Sequence, residues 1–263
     1  MRKRFLGLMI VIWAICLTIS IANAADITAG LVGHWPLDGD ASDKTGNNDG
    51  VVIGDPTWEA GQKGQAINID GVDDYVNIPG FSLNTDTVTF TAWVSGWKTT
   101  SWTGILCTRN PSGDKPIEED GTADKGRCEG IRFGQSDRLH YEWGDNSATW
   151  NWDEGPVLPQ NEWAFIAGVI EPDKVTVYVY TDAKGLESAE NVINHDKREV
   201  TDLRIGFDTY DGIPGRAFKG LIDDARVYDR ALSKDEIQAV VEYEPTAMEP
   251  AGKITTTWGT IKY

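Results

Sequence analysis

Apolar residues recur in this chain at every second position and almost nowhere at every third or fourth, which limits it to folds built from strands that bury one face. Val88, Phe90, Ala92 and Val94 alternate with Thr89, Thr91, Trp93 and Ser95. The same spacing returns in Ile67 and Ile69, in Val76 and Ile78, in Trp163, Phe165, Ala167 and Val169, and in Val175, Val177 and Val179. Gly71-Val72-Asp73-Asp74 and Glu171-Pro172-Asp173-Lys174 carry turn residues and join neighbouring runs into two hairpins. Many short strands separated by turns predict an all-β fold, two antiparallel sheets in a sandwich or jelly roll, rather than a parallel α/β sheet. One short C-terminal helix interrupts the pattern. Ser233 and Glu236 form a capping box that starts it, and it is expected to run through about Val240.

The chain begins with Arg2, Lys3 and Arg4, then an apolar run from Phe5 to Ile19 that closes on Ala22-Asn23-Ala24. Basic, then apolar, then small is the order of a secretory signal, and cleavage after Ala24 fits it. An uncleaved anchor is the alternative, because the run approaches spanning length. The expected division is residues 1–24 as signal peptide, 25–244 as one domain, and 245–263 as a linker and tail broken by Pro245, Pro250 and Gly252. The expected location is secreted or otherwise extracytoplasmic, in a periplasm or at a cell surface.

Removing residues 1–24 takes away three of the 24 basic residues and none of the 41 acidic ones, so the net charge deepens from −17 to −20. Such a surface repels nucleic acid and anionic lipid, and it favours divalent cations and neutral or basic partners. Cys107 and Cys128 are a lone pair in an exported chain, which predicts one disulfide. Closing that loop would contribute about 3 kcal/mol. His34, His140 and His195 are too scattered to build a metal centre with them.

Four stretches, in order, carry a resemblance: Leu31 to Gly39 (LVGHWPLDG), Gly64 to Val76 (GQAINIDGVDDYV), Thr89 to Val94 (TFTAWV) and Gly220 to Ser233 (GLIDDARVYDRALS). On these the chain resembles the laminin G-like branch of the concanavalin A-like lectin and glucanase superfamily. The resemblance implies a jelly roll, often with a structural calcium, used to bind glycans or proteins. The segment from about 98 to 161 departs from it, being longer and richer in charge, and is expected to carry any partner-specific surface. Glucanases of this superfamily place carboxylates in a Glu-x-Asp-x-x-Glu arrangement on one strand. Here Glu171-Pro172-Asp173 has Thr176 in the third place and reads as a turn, and no Gly-x-Ser-x-Gly is present. The reading is therefore a non-catalytic module for carbohydrate, with protein adhesion or assembly as the alternative and a glycoside hydrolase as the third.

Two sets of residues are candidates for binding. Trp97, Trp102, Tyr141, Trp143, Trp150 and Trp152 fall in or beside the divergent segment, and Tyr141/Trp143 and Trp150/Trp152 have the spacing that puts both rings on one strand face. Exposed, they are platforms for sugar rings; turned inward, they are ordinary core, as Trp35, Trp93 and Trp163 are expected to be. For calcium, the strand Leu221 to Tyr228 is decisive. If Ala225 and Val227 face the core, alternation sends Asp223 inward too, with Asp224 and Arg226 outward. A buried carboxylate needs a cation or a hydrogen-bonding network. The acidic loop Asp38 to Asp43 offers oxygen ligands without being an EF-hand, so Asp43 and Asp223 are the favoured pair. The resemblance adds Asp73 and Asp74 as a second pair.

Overall fold

A computed structural model describes residues 26–110, 127–144, 149, 151–209 and 216–244. The strands in chain order are β1 (Leu31–Trp35), β2 (Val51–Ile53), β3 (Thr57–Ala60), β4 (Gln65–Asp70), β5 (Tyr75–Thr85), β6 (Val88–Lys98), β7 (Gly104–Asn110) and β8 (Arg127–Phe133). They continue with β9 (Leu139–Glu142), β10 (Ala164–Glu171), β11 (Lys174–Thr181), β12 (Gly185–Asn191), β13 (Arg198–Ile205), β14 (Phe207–Asp208) and β15 (Arg216–Tyr228). A single helix among the described residues, α1 (Lys234–Glu242), follows. One sheet runs β12-β11-β10-β6-β15-β4-β3, with β1 and β14 also on β15; the other runs β2-β5-β13-β7-β8-β9. Of the two expected hairpins, that of β10 and β11 is present, with Glu171 facing Lys174 across its turn; Gly71–Asp74 instead carries the chain from β4 in one sheet to β5 in the other, so these strands do not pair.

Val88, Phe90, Ala92 and Val94 of β6 meet Leu106, Ile131 and Ile205 of the opposite sheet in the main core. Their partners on β6 do not reach water as alternation suggested. Thr89, Thr91 and Trp93 are buried too, because α1 lays Ile237, Val240 and Val241 over that face with Phe165 and Tyr228 in a second core. The helix starts as expected, with Ser233 and Glu236 each capping the other's backbone. The Thr89 hydroxyl fixes its approach by donating to Arg230 O (2.7 Å) and accepting from Leu232 N (3.1 Å).

The strand orientation around Asp223 differs from expectation. A bulge between Asp223 and Arg226 in the pairing with β6, with Asp224 at φ +49°, adds a residue to β15. Ala225 and Val227 do face the main core, as does Ile222, so Asp223 lies on the opposite face beside its register partner Trp93. Asp224 and Arg226 are buried rather than exposed. Asp224 accepts from Arg226 through both oxygens (2.9 and 3.0 Å) and meets His34 Nε2 at 2.7 Å, and the guanidinium lies 4.5 Å from the Tyr243 ring. This buried acid is answered by an arginine network, as burial of charge requires.

The expected disulfide is not formed. Cys107 and Cys128 are free, buried thiols. Cys107 stands opposite Gly130, two residues beyond Cys128, so the pair is diagonal across the ladder rather than directly opposed. A hydrogen bond with Cys107, then burial, pushes the Cys128 thiol well above its ordinary range, which makes it a poor nucleophile.

The cap is testable. Ser233→Ala should cost about 1 kcal/mol in urea unfolding. The Arg230 and Ser233 side chains hold Glu236 down at about 2, so its contribution is full above its ordinary value of 4.5 and should fade as pH drops towards 2.

Candidate functional site

An open cleft of about 560 Å³ sits where β4, β15 and β6 run side by side. Its floor is one register row, Asp70 opposite Lys219 and Lys219 opposite Trp97. Alternation puts Asp70 and Lys219 on the face opposite the buried Ile69 and Phe218. Trp97 is half-buried because its ring meets Phe133 edge-on, 5.5 Å between centroids. Asn68 lies two residues along β4 on the same face as Asp70, and donates to Glu59 Oε1 (2.6 Å) and Thr57 Oγ1 (3.3 Å). Gln160 and Asn161, both exposed, form the wall. Asn161, at φ +55°, ties that wall to the floor by donating its amide to Gly96 O (3.2 Å).

The cations of the cleft differ in availability. Lys98 Nζ is tied to Ser136 O (2.7 Å), Gln135 O (3.2 Å) and Asp137 Oδ1 (2.9 Å). Lys219 is exposed and makes no ion pair among the described residues. At the Asp70 end stands an acidic group, Asp70, Asp73 and Asp74, with carboxylate oxygens within 4.8 Å of one another. Asp74 is buried and caps the turn, accepting from Asp55 N (2.8 Å) and Asp70 N (3.1 Å), while Asp70 accepts from Val72 N (2.7 Å). These bonds assign turn-stabilising work to Asp70 and Asp74 and leave Asp73 exposed.

Asp43, the favoured metal ligand, is engaged in a set of hydrogen bonds. Its Oδ1 accepts from His34 N (2.8 Å) and Thr45 N (2.9 Å), and its Oδ2 from the Thr45 hydroxyl, Asn48 N (3.0 Å) and Asn47 N (3.3 Å). Burial opposes ionisation here, but these bonds hold the carboxyl below its ordinary value. A carboxylate so engaged organises the loop. Asp223 is different. Its Oδ2 accepts from Lys63 N (2.8 Å), and its buried Oδ1 has no hydrogen-bond partner among the described residues. Burial, with like charge from Asp224 and Asp38, raises this carboxyl to about 7.

Of the five aromatic candidates among the described residues, Trp97 alone lines the cleft. Tyr141 and Trp143 are wholly buried in the main core and cannot meet a ligand from solvent. Tyr141 continues the inward row Ile205, Leu106, Ile131, and the Trp143 indole donates to Asp196 O (2.9 Å) inside the protein. Trp152 also belongs to the core, and Trp150 lies outside the described residues. Trp102, at φ +67°, covers the Arg132 guanidinium (4.8 Å) and packs edge-on against His140. Arg132 is paired with Glu142 and with Asp208 (3.3 Å), a buried cluster whose charges answer each other. Burial, with Arg132 nearby, lowers His140 to about 3, so it is neutral there. Sequence reasoning missed Asn68, Lys219, Gln160 and Asn161, although the polar alternation of Asn68 and Asp70 along β4 was a usable signal.

The two facing sheets define a lectin-like β-sandwich, and a family profile described as the concanavalin A-like lectin/glucanases superfamily matches residues 70–238. The chain belongs to that superfamily. Among solved structures it is similar to domain 4 of AbnA, an extracellular GH43 arabinanase from Geobacillus stearothermophilus, in complex with arabinotriose: 20% identity, TM-score 0.54, over 81% of this chain and 98% of that one. It is similar to Trypanosoma rangeli sialidase in complex with sialic acid (14%, 0.55, 80% of this chain and 32% of that). The binding domain of Paraclostridial Mosquitocidal Protein 1 is a third (13%, 0.52, 81% and 51%). The chain thus spans about a third of the sialidase and half of the toxin domain. No curated protein sequence matches it. At these identities the likeness is one of fold, a fold that binding domains use.

The reassignment of Asp43 has a direct check. Asp43→Ala should lower stability by about 3 kcal/mol, by the same amount in calcium and in chelator; a loss confined to calcium-loaded protein would restore it as a ligand.

Proposed function

We propose that this chain is an extracytoplasmic, non-catalytic carbohydrate-binding module whose sugar site is the cleft of Trp97, Asn68, Asp70, Lys219, Gln160 and Asn161. The observation that carries the reading is the row Asp70, Lys219, Trp97, which sets an acceptor, a donor and a partly open indole side by side on rigid strands. Sugars present alternating hydroxyls and apolar C–H faces, and such a row answers both. The arabinotriose held by the GH43 domain supports the reading by analogy of fold. The basic, apolar and small residues at the start of the chain support export. Trp97→Ala should weaken retention on an insoluble polysaccharide about tenfold. Gln160→Ala, at an exposed position, should weaken it without moving the melting temperature. Full retention by both variants would remove the cleft as the site.

We place the structural calcium at Asp223 with Asp38 rather than Asp43. The support is chemical: Asp223 Oδ1 is buried and unpartnered, and Asp38 adds like charge beside it. Asp38 commits one oxygen to Gln65 N (2.7 Å) and keeps the other. A cation would supply the missing partner and relieve both charges. A carboxyl raised to about 7 binds its proton more tightly folded than unfolded, so metal-free protein should lose stability as pH rises from about 4 to about 7. Asp223→Asn should flatten that slope relative to wild type in chelator. Millimolar calcium at pH 8 should raise the melting temperature of wild type and leave Asp223→Asn unmoved; equal melts with and without calcium would remove the ion.

A further inference from the structure

We infer that the cleft selects uncharged glycans and rejects acidic ones; the inference rests on the carbohydrate reading above and adds the class of ligand. Charge within reach of a bound sugar is unevenly distributed. Asp70 is part of the floor, Asp73 and Asp74 crowd within 4.8 Å of it, and Glu59 stands behind Asn68 at 2.6 Å. Against these four carboxylates the cleft sets Lys98 and Lys219. Lys98 is spent on Asp137 and two carbonyls, which leaves Lys219 alone. Among the described residues no arginine lines the cleft to grip a carboxylate through a two-pronged bond, the usual means of recognising one. The field over the floor is therefore negative and sits on a chain of net charge −17. What the floor does offer suits neutral hydroxyls. Asp70 and Lys219 face each other across a ladder, about 5 Å apart at Cβ, so that one accepts from a sugar hydroxyl and the other donates to its neighbour.

The test uses the exported chain against uncharged polysaccharides (arabinan, xylan, a mixed-linkage glucan) and acidic ones (polygalacturonate, a sialylated glycan), in chelator and in calcium, at low and high salt. The expected result is binding to at least one uncharged glycan that is unchanged by salt, weakened in Lys219→Ala, and no retention of acidic glycans. Asp73→Lys should raise affinity for polygalacturonate about fourfold at low salt, and salt should erase the gain. Acidic glycan bound as tightly as uncharged, or bound only when calcium bridges the carboxylates, overturns the selectivity and leaves a carbohydrate module standing. A panel blank throughout removes both.

Discussion

The pairing of β15 with β6 is the interaction on which the remaining structure depends. These are two long strands far apart in the chain, residues 88–98 and 216–228, and β15 also carries β4, β1 and β14. Gly96 and Gly220 stand opposite each other at one end of the pair, and a Cβ on either would run into the other strand's backbone. Close approach there brings Trp97, Lys219 and Asp70 into one row. At the other end the Asp224 bulge breaks the alternation and turns two consecutive aspartates into different environments, one closed by arginine and one left short of a partner.

The residues made much of this readable. Period-two alternation named the strands from β4 to β6 and the β10–β11 hairpin, and turn chemistry placed the loop of that hairpin and the turn after β4, although not that this turn crosses between sheets. Ser233 and Glu236 marked the helix. What alternation does not reveal is whether the second face of a strand is covered. On β6 a distant helix covers it, and on β9 both faces are buried, His140 and Glu142 as well as Leu139 and Tyr141. Spacing of two residues showed that Tyr141 and Trp143 share a face and said nothing of which face. An inserted residue is equally invisible to a pattern argument, so Asp223 emerged on the side opposite to the one expected.

The candidate site was hardest to see because it is assembled across the chain. Its parts come from positions 68–70, 97, 160–161 and 219, and only the sheet order makes them neighbours. The aromatic cluster that drew attention in sequence lies largely in the core, while the cleft takes a single indole and otherwise ordinary amides and charges. Buried ionisable groups elsewhere, Arg132 with Glu142 and Asp208 or Arg226 with Asp224, are paired with opposite charge and read as scaffold.

The central strand of the larger sheet is also the last to be made. Until residues 216–228 are available, β6 and β4 have no common neighbour, β1 has no partner, and the sheet is two fragments with open edges. Ordered structure that waits on contacts between chain ends forms slowly, because the loop must close before any pairing energy is gained. The placement of one strand thus makes removal of residues 216–228 a division of the larger sheet into two open-edged fragments rather than the loss of an edge.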